Sequence, residues 1–181
     1  MKDTMTRLDK VANIVLILTC ALVIGNLARN YYNSRKADPS LQPDIKIGEV
    51  VKLPESETAE RQSAPATLVM ALSTHCGFCQ ASMPFYQKLS AFKNSSPVNV
   101  RLATVMSESK EEAEAYLKKY GIATDILLST PISQVGVNGT PTLLLLDREN
   151  RLVRSWVGQL NNSQESEVVS QLQKLCPQCS M

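Results

Sequence analysis

Two cysteines separated by two residues constrain this chain more than any other feature of its sequence. The motif Cys76-Gly77-Phe78-Cys79 follows the apolar run Ala66–Leu72 and precedes a helical pattern over Met83–Phe92. This order predicts a strand that ends before the motif and a helix that follows it. A cysteine at a helix start lies beside backbone N–H groups and the positive end of the helix dipole, which stabilise a thiolate. The spacing therefore favours redox chemistry at Cys76, because Cys79 is close enough to resolve a mixed disulfide.

Other uses of such a motif stay open at this point, because a C-x-x-C pair also occurs in zinc sites and in small structural disulfides. A second pair, Cys176 and Cys179, lies near the end of the chain. It is interpreted as a structural disulfide or as a shuttle pair that exchanges electrons with the first. A four-cysteine zinc site would require both pairs to converge. Ser180 follows Cys179 where c-type haem attachment needs histidine, which excludes such a haem site. We predict no metal and no cofactor.

A proline opens an apolar strand further along the chain. Gly139-Thr140-Pro141 is followed at once by the run Thr142–Leu146. A strand, a C-x-x-C helix, an α/β stretch and a Thr-Pro before a strand follow one another as in the thioredoxin fold, and residues 66–175 resemble that superfamily. The resemblance implies an α/β fold with a central mixed sheet flanked by helices. The Gly139–Asp147 segment and the membrane-proximal layout look most like the anchored TlpA/ResA-type proteins. The Gly77-Phe78 dipeptide is closer to that of periplasmic disulfide isomerases.

The resemblance also implies roles for individual residues. Cys76 and Cys79 match the active-site pair, with His75, Gly77 and Phe78 in support. Pro141 matches the cis-proline that faces the disulfide. Three residues are expected to form the substrate groove beside the sulfurs: Thr140, Pro141 and Gly158.

The chain departs from thioredoxin around the motif. His75 stands where thioredoxins have tryptophan, and Phe78 replaces a proline within the motif. Met70 occupies the position of the buried aspartate that accepts a proton from the second cysteine. Three glutamates on another element are candidates for that role: Glu108, Glu111 and Glu112. A solvent-exposed position is favoured for all three, since glutamate is almost never buried unpaired.

Residues 11–28 are uncharged and mostly aliphatic, between Lys10 and Arg29. As a helix they would span about 27 Å, which is just enough to cross a bilayer. A cleaved signal peptide is the alternative, although the 26–28 end is a poor cleavage site. Positive charges are balanced across the segment. We expect residues 1–10 in the cytoplasm and the domain outside it. The N-terminal tail is short, and the redox motif suits an oxidising compartment.

The remaining chain divides into a proline-containing tether, residues 29–65, the domain, residues 66–175, and a tail, residues 176–181. Within the tether, Ile45–Leu53 alternates in polarity and predicts an edge strand or hairpin. The domain pattern predicts further elements. These are strands Val98–Val105, Ile126–Leu128, Thr142–Asp147 and Arg151–Val157, helices Ser109–Tyr120 and Ser133–Val137, and a last helix, capped by Asn162 or Ser163, that ends near Leu175.

The combined pattern predicts a membrane-anchored, extracytoplasmic thiol-disulfide oxidoreductase that reduces protein disulfides. Its expected partners are a protein thiol or disulfide substrate, the membrane through residues 11–28, and a membrane-bound or soluble redox donor. The near-neutral net charge of +2 gives no reason to expect nucleic acid. A disulfide oxidase or isomerase is one alternative, although isomerases usually carry a dimerisation domain. A redox-inert, thioredoxin-like assembly module is the other, because fold alone does not fix function.

Overall fold

The computed structural model describes residues 12, 14–26, 43–53, 64, 66–95 and 100–175. The chain divides into two compact units, Met1–Asp38 and Pro39–Met181. The predicted second cysteine pair, Cys176 and Cys179, and the tail 176–181 lie outside the described residues.

In the first unit, residues 14–26 form helix α1, and their side chains are exposed. Within the described part of the chain, no helix is both long enough and apolar enough to cross a membrane. Residues 11, 13, 27 and 28 of the predicted anchor lie outside that part. The membrane anchor therefore stays a prediction.

The second unit is built on a five-stranded mixed sheet, as the sequence predicts. Its strands are β1 Ala66–Leu72, β2 Val100–Met106, β3 Ile126–Ser129, β4 Thr142–Asp147 and β5 Leu152–Val157. Their spatial order is β3-β2-β1-β4-β5. β1 is parallel to β2 and antiparallel to β4, while β2 is parallel to β3 and β4 is antiparallel to β5. All seven residues of β1 are buried, because this strand is central and covered on both faces.

Three helices contribute to the core on one face of the sheet: α2 Gly77–Ser95, α3 Lys110–Lys119 and α4 Asn162–Leu175. Side chains alternate along a strand, so Met70 and Leu72 of β1 point to these helices, while Val69 and Ala71 point to the other face. The connections through α2 and α3 both lead from one parallel strand to the next in the same direction across the sheet. Right-handed crossovers then place both helices on one side.

The other face is covered by a short 3-10 helix, Ile132–Val135, and by the segment 43–53. The edge strand predicted over Ile45–Leu53 is wrong in extent, because only one bridge forms, between Val50 and Arg151. A turn closed by the Glu49 N–H and the Lys46 carbonyl, 3.0 Å apart, interrupts the alternating run. The segment therefore meets the edge of the sheet only at residues 150–152, through backbone hydrogen bonds of Gly48, Glu49 and Val51, and packs apolar side chains on the sheet face.

Two helices, α2 and α4, start earlier than the sequence pattern predicts. In each case the residue that precedes the helix lies outside the apolar pattern. The first backbone bond of α2 runs from the Gln80 N–H to the Cys76 carbonyl, at 3.1 Å, so this helix starts at the motif and not near Met83. The last helix is capped by Asn161, whose Oδ1 accepts the N–H of Ser163 and of Gln164 at 3.0 Å each. The prediction of Asn162 or Ser163 as the cap was therefore off by at least one residue.

Candidate active site

The two cysteines of the motif are free thiols at the start of α2, directly after the carboxyl end of β1. Cys76 occupies the N-cap position, and its sulfur accepts the backbone N–H of Cys79 at 3.2 Å. A side chain at this position normally satisfies one of the free N–H groups of the first helical turn. Cys76 is partly exposed, whereas Cys79 is fully buried beneath it.

The two thiols have opposite pKa shifts. Partial burial would raise the pKa of Cys76, but hydrogen bonds with Cys79 and Thr140 and from the N–H groups of Cys79 and Phe78 outweigh it, so the pKa lies below its ordinary value. Burial raises the pKa of Cys79 to about 12, and the hydrogen bond with Cys76 adds to the rise. The first cysteine is therefore the one that is more readily present as thiolate at neutral pH.

A cis peptide bond between Thr140 and Pro141 lies against the exposed sulfur, as the resemblance implied. In its thiol form Cys76 donates to the Thr140 carbonyl, with 3.2 Å between Sγ and the oxygen. The Gly158 N–H donates to the Pro141 carbonyl at 2.8 Å, and Gly158 has a φ of 81°, a conformation that favours glycine. The structure thus brings together the cysteine pair and the three residues expected to form a groove.

Phe78 lies between the two cysteines with 65% of its surface exposed. Gly77 is also exposed, and nothing lies within 4 Å of the position that a Cβ would occupy there. The Phe78 side chain and the Gly77 backbone beside Cys76 are therefore open to solvent.

His75 is directed at a carboxylate. Its ring is 90% exposed, and Nδ1 lies 2.9 Å from the Thr74 hydroxyl and 3.8 Å from Glu108 Oε1. The expected influence of His75 on the Cys76 thiolate stays a prediction.

Glu108 corrects the expectation that all three candidate glutamates are exposed. Its side chain is only 10% exposed, and Oε1 accepts the Ser73 hydroxyl at 2.8 Å and the Thr74 N–H at 2.7 Å. Burial would raise its pKa, but these hydrogen bonds outweigh it and lower the pKa below the ordinary value. Glu111 and Glu112 are exposed, and Glu112 completes a capping box with Ser109 at the start of α3. Of the three, Glu108 is the acid that reaches the active-site loop.

Tyr116 was missed by the sequence analysis. It is 8% exposed and belongs to the same apolar cluster as Cys79 and the fully buried Met70. Burial raises its pKa to about 12, and the neighbouring Cys79 contributes further. The helical spacing of Ala113, Tyr116 and Leu117 could have placed this ring in the core, but no motif marks its hydroxyl.

The described residues contain no group of three or more histidine, cysteine or acidic side chains that could hold a metal ion. Within this part of the chain, the site therefore consists of a thiol pair, a carboxylate and hydroxyl groups. These groups support nucleophilic sulfur chemistry and proton transfer.

Comparison with known proteins agrees with this geometry. The model of the Redoxin family matches residues 40–172, so the chain belongs to the Redoxin family. Family membership and the cysteine pair together identify a thiol-disulfide oxidoreductase with a thioredoxin-like fold. A comparison with curated proteins gives no significant match.

Solved structures share the fold at low sequence identity. A DsbF homologue from Corynebacterium diphtheriae is 14% identical with a TM-score of 0.54, covering 75% of this chain and 96% of its own. A thiol:disulfide interchange protein of the thioredoxin family from Chlorobium tepidum is 20% identical with a TM-score of 0.51, at 75% and 99% coverage. A thiol-disulfide isomerase from Corynebacterium glutamicum is 17% identical with a TM-score of 0.51, at 75% and 97% coverage.

Proposed function

We propose that this chain is a membrane-anchored, extracytoplasmic oxidoreductase that reduces disulfides in other proteins. The observation that carries the proposal is the position of the Cys76 sulfur. It is partly exposed, has a lowered pKa, and lies 3.2 Å from both the Cys79 N–H and the Thr140 carbonyl. A nucleophilic thiolate therefore lies beside a backbone segment that an extended substrate can pair with.

On this proposal the reaction has two steps. The Cys76 thiolate attacks a substrate disulfide, forms a mixed disulfide and releases one substrate sulfur as a thiolate. The Cys79 sulfur then attacks Cys76, which breaks the bond to the second substrate sulfur and leaves a disulfide between the two cysteines. Two electrons pass from the cysteine pair to the substrate, and a separate donor must return them before the next cycle.

The substrate surface on this proposal consists of Phe78 and the Thr140-Pro141 backbone. The exposed aromatic ring supplies apolar contact, and the backbone beside the cis bond supplies polar groups for strand-like pairing. Neither contact selects a particular side chain, so several unrelated proteins could be substrates. The reductive direction is supported by the resemblance to the anchored TlpA/ResA-type proteins.

The anchoring part of the proposal is supported by the apolar character of α1. Its aliphatic side chains are exposed, including Ile17 at 67% and Leu22 at 68%, and lipid is an environment that would cover them. A tagged full chain in membrane vesicles of known orientation provides the test. Protease added on the extracytoplasmic side should digest the domain and leave residues 1–10 protected. A soluble chain that starts after residue 28 would show that the segment is a cleaved signal peptide.

Trapping of the mixed disulfide tests the oxidoreductase part. A Cys79→Ala variant should accumulate disulfide-linked complexes through Cys76, and a Cys76→Ala, Cys79→Ala double variant should not. Cys20→Ala is the matched control, since it removes a cysteine far from the motif in sequence. Insulin reduction with dithiothreitol as donor then tests the direction. Oxidation of reduced substrates without any insulin reduction would favour the oxidase alternative. Absence of both activities would favour a redox-inert module.

A further inference from the structure

The second cysteine pair is the sequence motif that the proposed function leaves without a role. Cys176-Pro177-Gln178-Cys179 has the same spacing as the active-site pair. Its cysteines follow Leu175, the last residue of α4, at one and four positions. A proline soon after a helix end is a common stop signal, because the residue before a proline disfavours helical geometry. The position of Leu175 in the fold therefore determines where the second pair begins.

The active site and the turn between β4 and β5 lie at opposite ends of the sheet. Thr142, the first residue of β4, pairs with Ala71 near the carboxyl end of β1, where the active-site motif follows. Asp147, the last residue of β4, pairs with Ala66 at the start of β1. At strand rise these two ends are about 17 Å apart.

Helix α4 runs from the active-site end of the sheet to the other end. β5 leads to Gly158 in the groove, and α4 begins four residues later. Glu167, in the middle of α4, accepts hydrogen bonds from Trp156 at 3.2 Å and from Arg154 at 2.6 Å. This part of the helix therefore lies back alongside β5. Leu175 is eight residues further along, which is about 12 Å at helical rise.

The second pair begins far from the active site of its own chain. α4 has 14 residues and is about 20 Å long, so Leu175 lies about that distance from Cys76 along the sheet. The chain leaves α4 in the direction away from Cys76. Reversal of direction takes about four residues in a β-turn, which is the whole of residues 176–179. Exchange with Cys76 of the same chain would therefore require α4 to unwind and to expose Leu172, which is only 2% exposed.

The two pairs follow opposite ends of a helix. At the start of α2, hydrogen bonds from backbone N–H groups help to lower the pKa of Cys76. Cys176 directly follows the carboxyl end of α4, where the partial negative charge of the helix disfavours a thiolate. A pair whose reduced form is stabilised is the more oxidising of two. Electrons are therefore expected to move from the second pair to the first.

An acceptor for the second pair must offer an exposed disulfide sulfur and a groove that binds an extended segment. Cys76 is partly exposed and lies beside the Thr140-Pro141 backbone. Such a groove pairs with backbone and selects little among side chains. Another copy of this chain meets both conditions, and anchoring of the copies in one membrane, as proposed, would raise their local concentration.

We infer that the reduced Cys176–Cys179 pair of one copy reduces the Cys76–Cys79 disulfide of another copy. The inference rests on the proposed function and supplies the donor that this function needs. One sulfur of the second pair attacks Cys76 of the other copy, which breaks the disulfide and releases Cys79 as a thiol. The other sulfur then attacks the linked one, releases Cys76 as a thiolate, and leaves a disulfide between Cys176 and Cys179. Two electrons pass between the copies, and the two protons go to Cys79 and to solvent.

The first test follows this transfer between two full-chain variants in detergent, each carrying Cys20→Ser. The acceptor carries Cys176→Ser and Cys179→Ser and is oxidised beforehand. The donor carries Cys76→Ser and Cys79→Ser, is labelled with nitrogen-15 and is reduced beforehand. Samples of the mixture are quenched with N-ethylmaleimide, and intact mass spectrometry counts the labels on each isotopic form. A donor in which all of these cysteines are serine is the matched control.

We expect the acceptor to gain two thiols for every two that the donor loses. Tenfold dilution of both should lengthen the half-time about tenfold, because the step is bimolecular. At equal starting concentrations, more than half of the acceptor should end in the reduced form. The control donor should transfer nothing. Absence of transfer from the donor, or reduction of less than half of the acceptor at equilibrium, would overturn the inference.

The second test asks whether the link forms between copies or within one. A chain carrying Cys20→Ser, Cys79→Ala and Cys176→Ser retains only Cys76 and Cys179. Equal amounts of light and nitrogen-15 copies are mixed and oxidised with diamide. About half of the linked Cys76–Cys179 peptides should then contain one light and one heavy partner. Linked peptides with no such mixed pairs would show a link within one chain and would overturn the inference.

Insulin reduction by the acceptor variant with dithiothreitol separates this inference from the proposed function. An acceptor that reduces insulin but takes no electrons from the donor would overturn only the inference. An acceptor that reduces no insulin would overturn the proposed function and the inference together.

Discussion

The two thiols should differ greatly in their rate of alkylation at pH 7. The pKa of Cys79 is raised to about 12 from an ordinary value of 9.0. Each unit lowers the thiolate fraction tenfold, so Cys79 carries about 1,000-fold less thiolate than an ordinary cysteine. A more basic thiolate is a better nucleophile, with a Brønsted coefficient near 0.4–0.5, which restores a factor of about 15–30.

The net expectation is therefore a rate at Cys79 about 30- to 60-fold below that of an ordinary exposed cysteine. The pKa of Cys76 lies below its ordinary value, which increases its thiolate fraction, and this sulfur is partly exposed. The full burial of Cys79 increases the difference further, because the reagent must also reach the sulfur. We expect Cys76 to react at least about 30-fold faster.

The measurement is timed iodoacetamide labelling of the reduced protein at pH 7, followed by peptide mass spectrometry that locates the first alkyl group. Labelling in urea is the control, since the two cysteines should react at similar rates once unfolded. Rates within about threefold of each other in the folded protein, or faster labelling of Cys79, would refute the assignment of Cys76 as nucleophile.

Three further outcomes are expected from urea unfolding of the reduced protein. The contribution of Cys79 to the free energy of unfolding should fall by about 2–4 kcal/mol as pH rises from 9 toward 12, because the folded pKa of Cys79, about 12, lies above the unfolded 9.0. Tyr116 also has a raised pKa, so Cys79→Ala should reduce the slope of the profile and leave the tyrosine part in place. Glu167→Ala should lower the free energy of unfolding by about 1–2 kcal/mol, because Glu167 accepts hydrogen bonds from Trp156 Nε1 at 3.2 Å and from Arg154 at 2.6 Å. Glu167→Gln keeps an acceptor, so an equal loss in that variant would contradict this reason. Ser109→Ala should lower the free energy of unfolding by about 1 kcal/mol, because it removes the hydroxyl of the capping box at the start of α3. Ser109→Asp, which supplies another N-cap acceptor, should keep most of that stability.

The sequence predicted the features that depend on local pattern. The apolar runs located β1, β3 and β4 to within a residue, because a buried strand needs continuous apolar character. The Thr140-Pro141 step before β4 was expected to be cis from the resemblance alone, and the structure confirms it. The active-site pair and its groove followed from the same two motifs.

The parts that could not be predicted depend on contacts between distant segments. Glu108 is sequentially close to Glu111 and Glu112, and only the position of β2 beside β1 shows that its side chain turns toward Ser73. The Asn161 cap and the loss of the edge strand at Val50 likewise depend on where neighbouring elements lie. The Tyr116 hydroxyl carries no sequence signal, since a core phenylalanine would fit the same helical pattern.

The parallel pairing of β1 with β2 explains why an acid can reach the site without occupying position 70. Parallel neighbours end at the same edge of a sheet, so Glu108, which follows β2, lies beside the loop that follows β1. At position 70 a carboxylate would lie in the apolar cluster beneath α2, where its charge would be costly. At position 108 the Thr74 N–H and the Ser73 hydroxyl stabilise that charge. The charge of Glu108 therefore lies outside the apolar cluster, at the edge of the sheet where the loop that leads to Cys76 begins.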